Sequence, residues 1–265
     1  MQKERKTKVW YSNNYNTLTL ASFIFLFLLW FVLSTSGVVR ELFLPSPGSV
    51  WQALKEMYHE GILLVYTLDS TYRVVVGWIM AVVAAVPLGM LVASSKKAEA
   101  LLTPVIEFAR YLPVVAMVPL TLLYFGIGDL QKFVVIFLGT FFQLVLMVSD
   151  VVANVQRDLL RAAATLGASR WQIYRLVLMP ASLPGIMDSL RITIGWAWTY
   201  LVVAELVAAN SGLGHMILKS QRFLATDRMF AGLLIIGLLG LATDLFFKWI
   251  TRVVVPWSEK EGGKA

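Results

Sequence analysis

Residues 157–180 read RDLLRAAATLGASRWQIYRLVLMP, and this basic stretch lies between two long apolar runs at 132–150 and 189–208. Arg157, Arg161, Arg170 and Arg175 cannot be spread along a segment immersed in hydrocarbon, where each ionised side chain costs at least about 2.5 kcal/mol. Irregular backbone facing lipid is equally excluded, because its polar groups find no partner there. The stretch is therefore read as a loop held outside the bilayer between two crossing helices. The wider segment 154–188 becomes a surface against which another protein can push, and the fold class is all-α integral membrane.

Composition leads to the same class. Hydrophobic residues make up 58% of the 265, charged residues only 15%, and the mean hydropathy is +0.72, well outside the range of soluble domains. A helix crosses a bilayer with about 20 apolar residues, and six runs approach that length: 18–36, 72–94, 104–125, 132–150, 189–208 and 229–250. The fourth is the cleanest, with no charge from Phe133 to Ser149. The third, fifth and sixth carry Glu107 and Arg110, Arg191 and Glu205, and Asp244 and Lys248 near their ends. The organisation expected is an N-terminal cytoplasmic segment 1–17, a first span and extracytoplasmic connector 18–66, a core 67–250, and a cytoplasmic tail 251–265.

Charge bias sets the orientation. With both termini in the cytoplasm, 15 lysines and arginines fall inside, among them Lys96, Lys97, Arg157, Arg161, Arg170 and Arg175, against 7 outside, among them Arg73 and Lys132, with Arg110 unassigned. That is the asymmetry the positive-inside rule expects. The net charge of +7 is thus a topology signal with some attraction to anionic lipid. Nucleic acid is disfavoured as a partner, because the basic residues form no single stripe with interleaved aromatics. Basic residues before the first apolar run resemble a secretory signal, but the run is too long and no A-x-A site follows before Pro45, so it is read as a span.

Catalytic chemistry has little to work with. The chain contains no cysteine, which removes disulfides, thiolate metal sites and cysteine nucleophiles. His59 and His215 fall in outside segments, and no H-E-x-x-H, G-x-S-x-G or metal-spaced carboxylate cluster occurs. Gly126-Ile-Gly128 and Gly212-Leu-Gly214 lack the third glycine and the preceding strand of a dinucleotide loop and are read as turns. With no G-x-x-x-x-G-K-[ST], the chain is not expected to bind ATP itself.

The central loop has helical content. Leu159, Leu160, Ala163 and Leu166 share one face of a short helix, Ala162 to Ala164 favour it, and Gly167 ends it. Trp171, Tyr174 and Leu178 then recur at helical spacing until Pro180 and Pro184 redirect the chain toward the next span. A short helix ringed by Arg157, Arg161 and Arg170 suits a groove on a soluble partner, although the pattern equally suits a loop resting on lipid headgroups. Between the first two spans, 44–60 predicts a connector helix capped by Ser49. Its Val50, Leu54 and Met57 lie on one face, as in a helix resting on the membrane surface.

The run from Ala162 to Pro180 resembles the signature loop of binding-protein-dependent ABC importer permeases, written E-A-A, three residues, Gly, nine residues, Ile, one residue, Leu-Pro. Matching from Gly167 places the alanines at Ala162 and Ala163, the Ile-like residue at Val177, the Leu-like residue at Met179 and the proline at Pro180. Arg161 stands at the glutamate position, a reversal of charge that a partner would have to match. The resemblance extends from about Thr67 to Ile250. The stretches 111–129, 195–205 and 211–214 are similar to the branch for nitrate, bicarbonate, sulfonates and taurine, and AWTYLVVAEL is closest in wording to its nitrate and bicarbonate type.

The resemblance implies a type I ABC importer permease in a bacterial plasma (inner) membrane. It implies a homodimer, two ATPase subunits on the cytoplasmic side and an extracytoplasmic solute-binding protein. No cofactor is implied in this chain, with ATP and Mg on the partner ATPase. The residues implied to couple to that ATPase are Leu159, Leu160, Arg161, Ala162, Ala163, Leu166, Gly167, Ala168, Arg170 and Trp171. The solute expected is nitrate or bicarbonate, with an alkanesulfonate or taurine as the alternative.

Residues within the spans are read individually. Ala81, Ala85, Gly89 and Ala93 form a small-residue stripe for close packing. Pro113 and Pro119 kink or break the third span beside the pathway, where Met117 gates. Gln143 and Thr199, polar at mid-span, are candidate pathway residues, with interhelical hydrogen bonding as the competing reading; Thr193, Trp196, Trp198 and Tyr200 crowd the same helix. Glu107 and Arg110 are spaced to pair. Glu205 either meets the binding protein or stabilises the Ser211-Gly212 turn. A secondary transporter would show internal repeats and midplane ionisable groups, and an intramembrane enzyme a His, Ser or carboxylate constellation; neither is evident.

Overall fold

The computed structural model describes residues 15–257; the basic head and polar tail read from the sequence lie mostly outside these. Every regular element among the described residues is helical.

Apolar residues without interior charges give α1 (Tyr15–Thr35). It stands largely apart from the bundle, with Phe23, Phe25 and Leu26 exposed. It is tied in where the Trp30 indole donates to the Pro45 carbonyl at 3.0 Å and stacks on Phe230.

Helix α2 (Pro47–His59) corrects two expectations. Its N-cap is Ser46, whose hydroxyl accepts from the Ser49 amide at 3.1 Å. A residue before proline is held extended, as Ser46 is at φ −68°, ψ 153°, so the cap falls there and Pro47 takes the first helical turn. Its apolar face meets protein instead of a membrane surface, because Val50, Ala53 and Met57 are buried and pack with Leu213, Met216 and Ala231.

Helix α3 (Ile62–Ser94) runs 33 residues, beginning ten before the expected span. It lies parallel to α6 (Asp129–Ala153), and glycines set their separation. A Cβ on Gly77 would come 2.8 Å from Ile136 Cβ, and one on Gly89 would come 2.7 Å from the Val145 carbonyl oxygen. Ala81 and Ala85 complete the buried edge, so the small-residue stripe packs as expected.

The third expected span is broken. Helices α4 (Lys96–Arg110) and α5 (Val114–Phe125) meet at 96°, and Pro113 stands at the break as the N-cap residue of α5. Pro119 lies within α5 without ending it.

After α6 come α7 (Arg157–Thr165), α8 (Arg170–Gln172), a π-helical turn at Ile173–Leu178, and α9 (Met179–Ala208). The last three form one continuous helical run from Arg170 to Val207. Pro180 and Pro184 therefore do not redirect the chain. Proline lacks an N–H and its ring crowds the carbonyl four residues back, and the widened turn just before Pro180 lets the helix pass.

Helix α9 runs antiparallel to α6, with Gly185 against Val151 and Gly139 against Tyr200. Helix α10 (Leu213–Arg222) and α11 (Thr226–Val254) close the bundle. Helix α11 ends at Val254, with Thr251 buried. Among the described residues, five helices are long and apolar enough to cross a membrane, or six spans if α4 and α5 together form one.

Candidate translocation cavity, coupling loop and buried clamp

Three features occupy different levels of the bundle. At the α4–α5 break lies a cavity of about 460 Å³, within the range of small-molecule sites. Met117 reaches it from α5, Gln143 from α6 and Thr199 from α9, so the three candidate pathway residues line one space. Gly139 also borders it, and a Cβ there would overlap the Tyr200 ring; glycine lets that aromatic wall sit against α6.

Arg110 is the one charged side chain in the lining, which contains no carboxylate. Its Nη2 donates to the Tyr111 hydroxyl at 3.0 Å, and its guanidinium stands 4.9 Å from the centre of that ring. The expected Glu107–Arg110 ion pair is not formed among the described residues. Both instead border a second cavity of about 270 Å³ with Glu99 and Asp150, and Arg110 is the residue common to the two spaces.

Helix α7 stands clear of the membrane-length helices and has no buried residue. The expected apolar face divides: Leu160 and Ala163 are half-buried, while Leu159 and Leu166 are exposed, Leu166 to 88%. Its end is a Schellman turn. Gly167, at φ +81°, donates to the Ala164 carbonyl at 3.0 Å, and the Ala168 amide donates to Ala163 at 3.1 Å, a conformation that favours glycine.

A capping box restarts the helix. The Ser169 hydroxyl accepts from the Gln172 amide at 3.3 Å, and the Gln172 side chain accepts from the Ser169 amide at 2.8 Å. Trp171 remains exposed and stacks on Tyr174. Arg161 and Asp158 form an exposed pair at 3.4 Å. Tyr174 and Leu178 anchor this loop against a buried cluster to which α3, α4, α6 and α9 contribute Met90, Ile106, Val148 and Ile186, with the Tyr174 hydroxyl 3.8 Å from the Met90 sulfur. The helix that ends in Arg110 contributes Ile106 to the same cluster.

At the opposite end of α9 lies a buried polar clamp that sequence reasoning missed. Glu205 is fully buried and Arg73 is 5% exposed. Arg73 Nη1 donates to Glu205 Oε1 and to the Ser211 carbonyl, each at 2.7 Å, and Arg73 Nε donates to Asp129 at 2.7 Å. Glu205 also accepts from the Gly214 amide at 2.8 Å and from the Ser70 hydroxyl at 2.9 Å, and that hydroxyl accepts from the Leu213 amide at 2.8 Å.

Gly212, at φ +111°, approaches the carboxylate so closely that any Cβ would overlap it. Of the two roles expected for Glu205, the geometry supplies the turn. The available signal was the presence of opposite charges in two apolar helices, which normally implies a partner. Lys132, counted among the outside charges, is buried too and donates to the Gly128 carbonyl at 2.9 Å. His59 ends α2, and His215 lies edge-on to Tyr66; no metal-holding group of three ligands occurs among the described residues.

Residues 85–256 match the family of binding-protein-dependent transport system inner membrane components. The chain belongs to that family. The match covers the candidate coupling loop, the cavity helices α5, α6 and α9, and the Glu205 half of the clamp. Among curated relatives, the taurine transport system permease protein TauC of Escherichia coli (strain K12) is 33% identical over 246 residues, covering 91% of this chain and 90% of that protein.

A Bacillus subtilis (strain 168) permease whose name assigns it to aliphatic sulfonate transport, SsuC, is 32% identical over 235 residues, covering 89% and 85%. Among solved structures, an inward-facing form of the MetNI methionine ABC transporter has a TM-score of 0.66 at 24% identity. It covers 74% of this chain and 97% of that one, and supports the type I importer fold. The permease is therefore an all-α ABC importer subunit of the inner-membrane class, as its signature loop implied.

Proposed function

We propose that this permease is the membrane subunit of an ATP-driven importer for a small organic sulfonate. The carrying observation is α7: an exposed helix at one end of the bundle, closed by a Schellman turn at Gly167, and followed by Tyr174 and Leu178, which pack against a core cluster built by α3, α4, α6 and α9. In this reading both termini and α7 are cytoplasmic. Two permease copies pair, and each offers Leu159, Leu160, Arg161, Ala162, Ala163, Leu166, Gly167, Ala168, Arg170 and Trp171 to an ATPase subunit that carries ATP and Mg. A solute-binding protein docks at the clamp end. Displacement of α7 is carried through Tyr174, Leu178 and Ile106 to α4, and so to the break beside Met117, Gln143 and Thr199.

The solute assignment differs from the nitrate or bicarbonate expected from AWTYLVVAEL. The two named relatives above, similar over most of their length, are taurine and aliphatic sulfonate permeases, which favours the sulfonate alternative.

The test is to purify the permease from its native membranes in mild detergent with whatever accompanies it. Vanadate-sensitive ATP hydrolysis is then measured with the binding protein and taurine, ethanesulfonate, nitrate or bicarbonate. A stoichiometric ATPase stimulated by a sulfonate is expected. Stimulation by nitrate or bicarbonate alone would overturn the solute assignment, and a permease that purifies alone and moves solute without ATP would make it a secondary transporter.

A further inference from the structure

Arg110 sits where chain geometry, charge and open space coincide. It ends α4, three residues before Pro113 breaks the span, and borders the 460 Å³ cavity that Gln143 and Thr199 also line. A guanidinium has five N–H donors in a fixed fork. One of them meets the Tyr111 hydroxyl, and no carboxylate pairs with Arg110 among the described residues. The cavity that Arg110 lines has other polar side chains that include an amide and a hydroxyl, and walls that include the aromatic rings of Trp196 and Tyr200.

Arg110 is exposed in the single chain, and the cavity it borders contains no acid to serve as its counter-ion. The geometry points to an anion-binding subsite in the transport pathway, with Arg110 holding the oxyanion head of the solute and Gln143 and Thr199 donating beside it. This rests on the importer reading above.

A sulfonate head presents three acceptor oxygens, which suits a planar donor fork supplemented by an amide and a hydroxyl. The aromatic wall accommodates a short alkyl tail. A taurine ammonium would find no carboxylate here, but the Trp196 and Tyr200 rings can attract it through their faces, so the lining suits a sulfonate head with or without an amine on its tail. On the other side of Arg110 lie Glu99, Glu107 and Asp150. Their negative field opposes retention of an anion beyond Arg110, so the subsite is a waypoint that releases its solute.

The test uses the intact complex of permease, ATPase and binding protein in liposomes, with ethanesulfonate as the probe. Arg110→Gln should lower ethanesulfonate uptake at least about tenfold, the loss of a charge-assisted interaction, while binding-protein-stimulated ATP hydrolysis stays within about twofold. Arg110→Lys should recover part of the uptake, since it keeps the charge without the fork. Gln143→Glu should reduce uptake in the same way by adding a negative charge to the cavity. Wild-type uptake in Arg110→Gln would overturn the subsite. So would parallel loss of uptake and ATP hydrolysis in both Arg110 variants, which marks a positioning residue of the break. If the unmodified complex carries nitrate and no sulfonate, the solute assignment fails separately, and loss of nitrate uptake in Arg110→Gln would still support an anion subsite.

Discussion

Arg73 and Glu205, 132 residues apart, form a buried ion pair at 2.7 Å that also fixes the turn between α9 and α10. The cost of burying two charges is offset only if their remaining hydrogen-bonding capacity is used. Here it is, because Ser70, Ser211, Gly214 and Asp129 supply the additional partners. The clamp joins α3, α6, α9 and α10 at one end of the bundle, away from α7.

Glu205→Ala removes the buried carboxylate and leaves Arg73 with Asp129 as its one charged partner beside Ser211, and should destabilise the permease by about 3 kcal/mol. Thermal unfolding of detergent-solubilised protein, followed by size-exclusion chromatography, measures the loss. Arg73→Met combined with Glu205→Leu should recover stability relative to either single variant. Additive losses in the double variant would show that the two residues contribute independently.

Gly212→Ala tests the same clamp from the backbone. The residue sits at φ +111° with its α-carbon against the Glu205 carboxylate, so a methyl group both strains the turn and displaces the carboxylate. The variant should unfold at lower temperature than wild type, and the loss should largely disappear in a Glu205→Ala background. A full loss in that background would place the effect in the turn alone.

Much of the bundle was legible in the sequence, for physical reasons that differ from helix to helix. Apolar length is a local property, so α1, α6 and α11 emerged close to their observed extents. Pro113 announced the break because proline constrains the residue before it as well as its own φ. The cap of α2 was misplaced to Ser49 because two serines flank Pro47-Gly48, and only the extended backbone at Ser46 decides between them. The clamp was not legible, since the pairing of Arg73 with Glu205 depends on α3 and α9 meeting in space. At the cavity, Met117, Gln143 and Thr199 could be nominated from their depth in apolar runs, whereas Arg110 needed the 96° bend to acquire an orientation.

Gly167 at φ +81° makes the proposed coupling loop sensitive to two substitutions of different severity. Gly167→Ala should cost about 1 kcal/mol of local stability and reduce solute uptake in part. Gly167→Pro, which holds φ near −65° and removes the amide that bonds Ala164, should abolish ATP-driven uptake. Both should insert in the membrane at wild-type levels. Unchanged uptake in Gly167→Pro would remove α7 from the coupling role.

Arg161 replaces the glutamate of the family signature, and in the free permease its only ion pair among the described residues is the exposed contact with Asp158. Exposed pairs contribute little to stability, so changes at this position should leave thermal unfolding unmoved and act on partner binding instead. With Arg157, Arg170 and Arg175 close by in sequence, the α7 surface is basic, and the ATPase groove that receives it should carry complementary acid. Arg161→Glu restores the signature residue, yet it should weaken ATPase association more than Arg161→Ala does, because a repulsive contact costs more than a missing one. The difference should shrink as salt is raised from 50 to about 500 mM, where screening shortens to a few ångströms. Co-purification of the ATPase across that salt series checks this directly. Tighter association in Arg161→Glu than in wild type would mean that the groove carries a basic residue suited to the signature glutamate.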